Sequence, residues 1–321
     1  MAQAREISGE VAHFLEQGKY DAARRSADAA VRLLEAAGAE EPDEEVRRRL
    51  LGAVLVQRVF VRFSLEDLDG ATADARRALD VLGGVVRRGD DPAAYVAADA
   101  QVWLAGLLSH AGRMEEVREL GTDQLDRFAD SARALPGNEM RLAQLLCRYG
   151  GALHAIDDDA GGHVYEREGL EIYRTMRGEL ARDDRIYFAG AATTLAETLA
   201  PERDNLPEIL AATEDAVREW SHLAGLGHPV IDRIVHSMYL RGATLRKLED
   251  PKAVQVLVDT RFVLEMFYPE KSAMAVQMAR MIRTELGAPY LDHWISQHVA
   301  ADTGRWRRAM RHRAQASAED A

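Results

Sequence analysis

Residues 18–30, Gly18-Lys19-Tyr20-Asp21-Ala22-Ala23-Arg24-Arg25-Ser26-Ala27-Asp28-Ala29-Ala30, place a turn in front of three small residues, Ala23, Ala27 and Ala30. Their i, i+4, i+7 spacing puts them on one face of a helix, and Val31 and Leu34 extend the stripe. A face built from such small side chains lets a second helix approach closely, and the turn supplies that helix from the preceding residues. The device returns at Leu68, Ala71, Ala75, Ala78 and Leu79. Working outward, Ala23, Ala71, Val117, Gly162, Ile209 and Ala253 align at steps of 48, 46, 45, 47 and 44 residues.

A second register agrees. Pro42, Pro92, Pro136 and Pro229 each stand where a first helix would open, with Asp183-Asp184 at the one start that lacks proline. Proline has no backbone N–H and a fixed φ, so it suits a helix's first turn and not its interior. The combined pattern predicts hairpins near 4–17 and 20–37, 43–64 and 67–88, 91–111 and 114–133, 137–156 and 160–178, 183–200 and 206–225, and 229–248 and 251–267. A shorter seventh pair is expected near 271–286 and 288–301. Each hairpin leaves an apolar face that only its neighbour can cover, so stability grows by stacking.

The bulk composition is compatible with that picture. Hydrophobic residues make up 47% of the 321 and charged residues 29%, too much apolar material for a disordered chain. A formal net charge of -12 argues against nonspecific binding of nucleic acid or an anionic membrane. The single cysteine, Cys147, cannot form an intramolecular disulfide, so the fold requires no oxidising compartment. The opening MAQAREISGEVAHFL reads as an amphipathic helix rather than a signal segment, and no apolar run reaches membrane-spanning length. A bacterial, cytoplasmic protein is the expectation, arginine supplying 37 of the 41 basic residues.

The turn and its small residues resemble the tetratricopeptide repeat. Gly18, Tyr20, Ala23, Ala27 and Ala30 match that pattern, and Leu68, Ala71, Ala75 and Ala78 match with leucine for tyrosine. Gly112, Met114, Val117 and Gly121 match in part, and Gly150, Gly162 and Gly169 suit close packing in the fourth unit. Glu166, Thr213, Leu257 and Thr260 stand where small residues are usual. The period exceeds the family's roughly 34 residues, which implies longer helices. The resemblance, which covers about residues 4–267, implies an all-α, right-handed superhelical solenoid of about seven antiparallel helix pairs; the array is expected over residues 1–301, and the charge of the last segment marks a basic C-terminal helix and tail over 302–321. The resemblance also implies a non-enzymatic module that binds a partner peptide or helix in a concave groove made by the first helices. A ligand- or peptide-sensing regulator and an enzyme on a helical scaffold are the alternatives.

Polar residues of the first helices are the candidate peptide-binding groups: Gln57, Arg58 and Arg62; Asp99 and Gln101; Arg141, Gln144, Arg148 and His154; His236, Tyr239 and Arg241. Arginine forks suit carboxylates because they offer paired, charged N–H donors. Val56, Phe60 and Trp103 offer apolar surface beside them, or core. Residues 157–168, DDDAGGHVYERE, carry carboxylates and a glycine at several calcium-loop positions, but Gly161 offers no oxygen at the fifth place and no paired loop exists. An acidic turn capping the next helix is the preferred reading. His154 is read as a histidine at a helix end rather than a metal ligand. No catalytic signature, cofactor or metal is expected; a protein or peptide partner is, and self-association stays open. The segment Arg305–Arg313 adds +5 of charge and is read as docking on the acidic body or as solvated.

Overall fold

In the computed structural model, the described residues are 2–36, 44–86, 91–134, 137–201 and 203–267, together with Ile282 and Thr284. They form α1 (Ala2–Glu16), α2 (Tyr20–Ala36), α3 (Glu44–Ser64), α4 (Leu68–Val86), α5 (Asp91–His110), α6 (Met114–Leu120) and α7 (Asp123–Ala134). There follow α8 (Glu139–His154), α9 (Asp159–Thr175), α10 (Arg182–Leu199), α11 (Leu206–Gly225), α12 (Ile231–Lys247) and α13 (Lys252–Phe267). The described residues contain no strand. The chain divides between Thr175 and Met176 into two compact units. Pro42 and Pro136 lie outside the described residues, as do the segment 302–321 and nearly all of the seventh hairpin.

In the first unit α1 packs on α2, α3 on α4 and α8 on α9, while α2 meets α3 and α4 meets α5. The first helices also touch in succession, α1 with α3, α3 with α5 and α5 with α8. The second unit repeats the arrangement with α10 on α11, α11 on α12 and α12 on α13. All six register residues are buried, Ala23, Ala71 and Ile209 at 0% exposure. The stripe read from the sequence is therefore the seam of each hairpin.

The hairpin turns carry a second, backbone register. Gly18, Glu66, Gly112, Asp157 and Glu249 all have positive φ, between 56° and 69°. Each sits just past a helix end, where its N–H and the next one bond back to carbonyls of the last turn, as in Gly18 N to Leu15 O at 3.0 Å and Lys19 N to Phe14 O at 2.9 Å. This double closure satisfies carbonyls that the helix end leaves orphaned. Aspartate then opens the following helix three times, Asp67 accepting from Gly70 N at 3.0 Å, Asp158 from Gly161 N at 3.1 Å and Asp250 from Lys252 N at 2.8 Å. Residues 159–175 are helix, so the DDDAGG stretch is an acidic turn with Asp158 as cap.

Where the register departs from small residues, the opposite helix compensates. A Cβ on Gly242 would stand 2.5 Å from Leu257 Cδ2, and one on Gly150 would stand 2.7 Å from Glu166 Cγ. The missing volume has moved to α12 and α8, so Leu257 and Glu166 fit into seams that stay closely packed. Thr213 and Thr260 are fully buried, and each hydroxyl donates within its own helix, to Leu210 O at 3.0 Å and Val256 O at 2.7 Å.

Buried charge fastens several hairpins. On α4, Asp74 is 3% exposed and accepts from Arg58 Nε and Nη2 at 2.7 and 2.6 Å, with Arg62 at 3.1 Å and Asp28 of α2 completing the Arg58 fork at 2.9 Å. On α9, Glu166 is 1% exposed and lies 3.0 Å from His154 Nε2, whose Nδ1 meets Asp159 at 2.7 Å. In the second unit Glu219, also 1% exposed, takes Arg185 at 2.5 Å and Arg177 at 3.3 Å, and Asp215 takes Arg177. Each acid is served by a cation from elsewhere in its unit, as burial of charge requires.

The third hairpin departs from expectation. One helix was predicted over 114–133, with Gly121 as a packing position; the chain instead breaks there into α6 and α7. Gly121 has φ 64° and ψ -165°, a conformation open essentially to glycine alone, and a Cβ on it would meet nothing within 4 Å. Gln101, 2% exposed on α5, splints the break. Its Nε2 donates to Gly121 O at 3.1 Å and to Leu120 O at 3.4 Å, and its Oε1 accepts from Leu125 N at 2.9 Å and Gln124 N at 3.2 Å. Tyr149 adds its hydroxyl to Gly121 O at 3.2 Å. One amide thus caps the end of α6 and the start of α7.

Gln101→Leu would strip partners from these buried backbone groups at about 1–3 kcal/mol each, partly offset by apolar burial, and is expected to destabilise the unit by on the order of 2–4 kcal/mol. Urea unfolding checks this, and a change within about 0.5 kcal/mol would mean that the break needs no splint. For His154, burial lowers the imidazolium pKa, but the hydrogen bonds and charges of Glu166 and Asp159 outweigh it and the net is a rise above 6.5. A raised folded value means that the clamp contributes fully below about pH 6.5 and is lost as pH climbs through the folded pKa. Urea midpoints of the parent and His154→Gln should therefore differ most at low pH and converge as pH rises; a constant gap would show that the ring acts by packing alone.

Candidate partner-binding surface on the first helices

On α5 the residues Tyr95, Asp99, Trp103, Gly106 and His110 follow one another at steps of three and four, so they share a face. Phe60 and Phe63 on α3 stand on one side of it, 38% and 41% exposed. The Phe60 and Trp103 rings meet edge-on at 5.9 Å, Phe63 lies 5.5 Å from Trp103, and Tyr20 continues the row 6.5 Å from Phe60. On the other side, Arg148 of α8 stacks on Trp103 at 4.5 Å and pairs with Asp99 at 2.7 Å. Two turns earlier Arg141 stacks on Tyr95 at 4.9 Å. Of this row Phe60 and Phe63 are exposed, whereas Tyr20, Tyr95 and Trp103 are half-buried.

A pocket of about 210 Å³ opens in this surface, lined by Phe63, Val102, Trp103, Gly106, Leu107, His110 and Arg148. Gly106 is decisive for its shape, because a Cβ there would meet nothing within 4 Å. Packing does not demand this glycine, although glycine inside a helix costs about 0.5–1 kcal/mol relative to alanine. The repeat-equivalent residue on α8, Gly151, is open in the same way. By contrast Gly52, Gly162 and Gly169 each face a side chain at 2.5–2.6 Å from the position of a Cβ.

The twelve candidate residues separate by environment. Asp99, Arg141, Gln144 and Arg148 gather on the α5–α8 face, Gln144 half-buried between the two arginines in sequence. Gln57 is tied to α1 by Ser8 at 3.1 Å, and Arg62 reaches Asp74 and Asp67. Arg58, Gln101 and His154 were expected to face a groove, and the structure instead places them in internal clamps. All three face acids or backbone ends that the hairpins bury, and those partners are visible only once the helices are packed. In the second unit His236 bonds Glu197, Tyr239 packs beside Val235 and Leu264, and Arg241 lies 3.9 Å from Glu214. Val56 is core at 8% exposure, whereas Phe60 and Trp103 belong to the surface row.

Phe63, Tyr95, Gly106 and His110 were missed from sequence. The step pattern on α5 could have found three of them, since a stripe that mixes aromatic, glycine and histidine residues is unlike the alanine-leucine stripes of the seams. Cys147 is buried with its sulfur against Gly169, and burial, with the Glu166 charge, pushes its thiol pKa well up, the opposite of what a nucleophile needs. Among the described residues no helix is long and apolar enough to cross a membrane.

No family model matches the chain, and no curated protein matches it. Among solved structures it is similar to BtubC (BKLC) from P. vanneervenii, with a TM-score of 0.55 and 17% identity over 78% of this chain and 92% of that one. It is also similar to the apo form of RapI, with a TM-score of 0.51 and 13% identity over 92% and 76% of the two chains. A Rap protein complexed with competence and sporulation factor gives a TM-score of 0.50 and 14% identity over 89% and 75%. At these identities the likeness concerns the fold alone: the described residues form an all-helical, tetratricopeptide-like repeat.

Proposed function

We propose that the protein is a non-enzymatic interaction module that takes a partner peptide or helix on the first-helix surface of its first unit, with one large apolar side chain of the partner seated beside Trp103. The carrying observation is the open pocket over Gly106, flanked by exposed phenylalanines and rimmed by Arg148 and His110. Its volume of about 210 Å³ falls below the range of roughly 300–1,000 Å³ usual for small-molecule sites and suits a single side chain. That size favours an anchored polypeptide over a small-molecule signal. The acids that the fold buries are engaged with arginine or histidine as hairpin clamps, which fits a molecule that holds a partner rather than one that turns over a substrate. The likeness to a Rap protein held in complex with a factor supports the reading at the level of fold.

Gly106→Leu tests it. The new side chain fills the pocket, while the helix gains about 0.5–1 kcal/mol of propensity, so the melting temperature should hold or rise. Peptides selected on the parent from a random twelve-residue display library should lose the burial of their anchor, about 1.5–3 kcal/mol, or roughly ten- to hundredfold in affinity. Equal binding to both proteins would remove the pocket from the account.

A further inference from the structure

The two arginines on α8 carry the surface further, given the reading of it as a partner site. Arg141 is exposed and stacks on Tyr95, and it pairs with no carboxylate among the described residues, although the chain carries 53 acids against 41 bases. Elsewhere Arg58, Arg62, Arg76, Arg77, Arg133, Arg177 and Arg185 are each engaged by Asp or Glu. Arg148 likewise lies over a ring, that of Trp103 at 4.5 Å, with Asp99 taking its Nη1. Stacking on a ring fixes the plane of a guanidinium and leaves its N–H edge directed sideways, so part of the entropy cost of binding an anion is met in advance.

We infer that the partner is an acidic polypeptide segment bearing two carboxylates about 10 Å apart, one beside its apolar anchor at Arg148 and the other at Arg141. The separation follows from the seven residues between the arginines at 1.5 Å rise each. In an extended partner it corresponds to acids three residues apart. Among the described residues Asp99 is the acid that α5 brings to this face, and Arg148 engages it through Nη1, so with Arg141 the two arginines outnumber it on a protein of net charge -12. That sign selects an acidic occupant.

The experiment uses the full chain and the peptides enriched on it from the same random library. Peptides depending on the Gly106 pocket should carry acidic residues, and replacing both acids by their amides should weaken binding about three- to tenfold for each carboxylate removed. Arg141→Gln should cost the acidic peptide about three- to tenfold and the amide peptide nothing, and Arg141→Glu should prefer a peptide with lysine at the outer position. Affinity of the acidic peptide should also fall as salt is raised. Pocket-dependent peptides with no acidic bias, or equal binding of acid and amide forms, would overturn the inference and leave the interaction module standing. Failure of every enriched peptide to respond to Gly106→Leu would bring down both.

Discussion

Close approach of two helices through a seam of small side chains is the constraint on which this molecule depends. Ala23, Ala71, Val117 and Gly162 are buried at that seam, and the glycine is there because a Cβ would stand 2.6 Å from the His154 ring. The seam fixes how near the helices lie, and the nearness decides which side chains can meet across each hairpin. It also explains how the register survives substitution. Where α13 brings Leu257 and α9 brings Glu166, the volume is given up by Gly242 and Gly150 on the partner helix. What is maintained along the chain is the summed volume of each pair rather than the residue type at one place.

The buried acids follow from the same geometry. A carboxylate in a seam cannot keep its water, so it is tolerated only where a first helix or a nearby turn supplies a cation. Asp74 with Arg58 and Arg62, Glu166 with His154, and Glu219 with Arg185 are three solutions to that problem. A slipped hairpin would leave such a charge stranded, so each pair penalises the wrong register. Gln101 does for backbone groups at Gly121 what these cations do for carboxylates.

First helices are left with one face that the seams do not use, and the proposed partner surface lies there. Between α3, α5 and α8 this face carries an aromatic row, an open pocket and two ring-stacked arginines. Gly106 and Gly151 weaken their helices without serving the packing, as Gly9, Gly83 and Gly190 do elsewhere, and of these Gly106 lines the pocket.

The sequence by itself determined the all-helical class, the hairpin period and the buried stripe of each second helix, because small-residue spacing and proline exclusion are local consequences of helix geometry. It also identified the acidic turn at Asp157–Asp159. It did not reveal that Glu66, Asp157 and Glu249 would adopt the left-handed conformation that glycine adopts at Gly18 and Gly112, since the closing hydrogen bonds outweigh a side-chain preference that local reading emphasises. Nor could it separate Arg58, a buried clamp, from Arg141, an exposed and ring-stacked cation, for both are arginines on first helices. Only the tertiary structure decided between them, because whether a charge is spent inside or offered outside depends on which acid a neighbouring helix brings within reach, and that is settled by packing across distances in sequence that no local pattern spans.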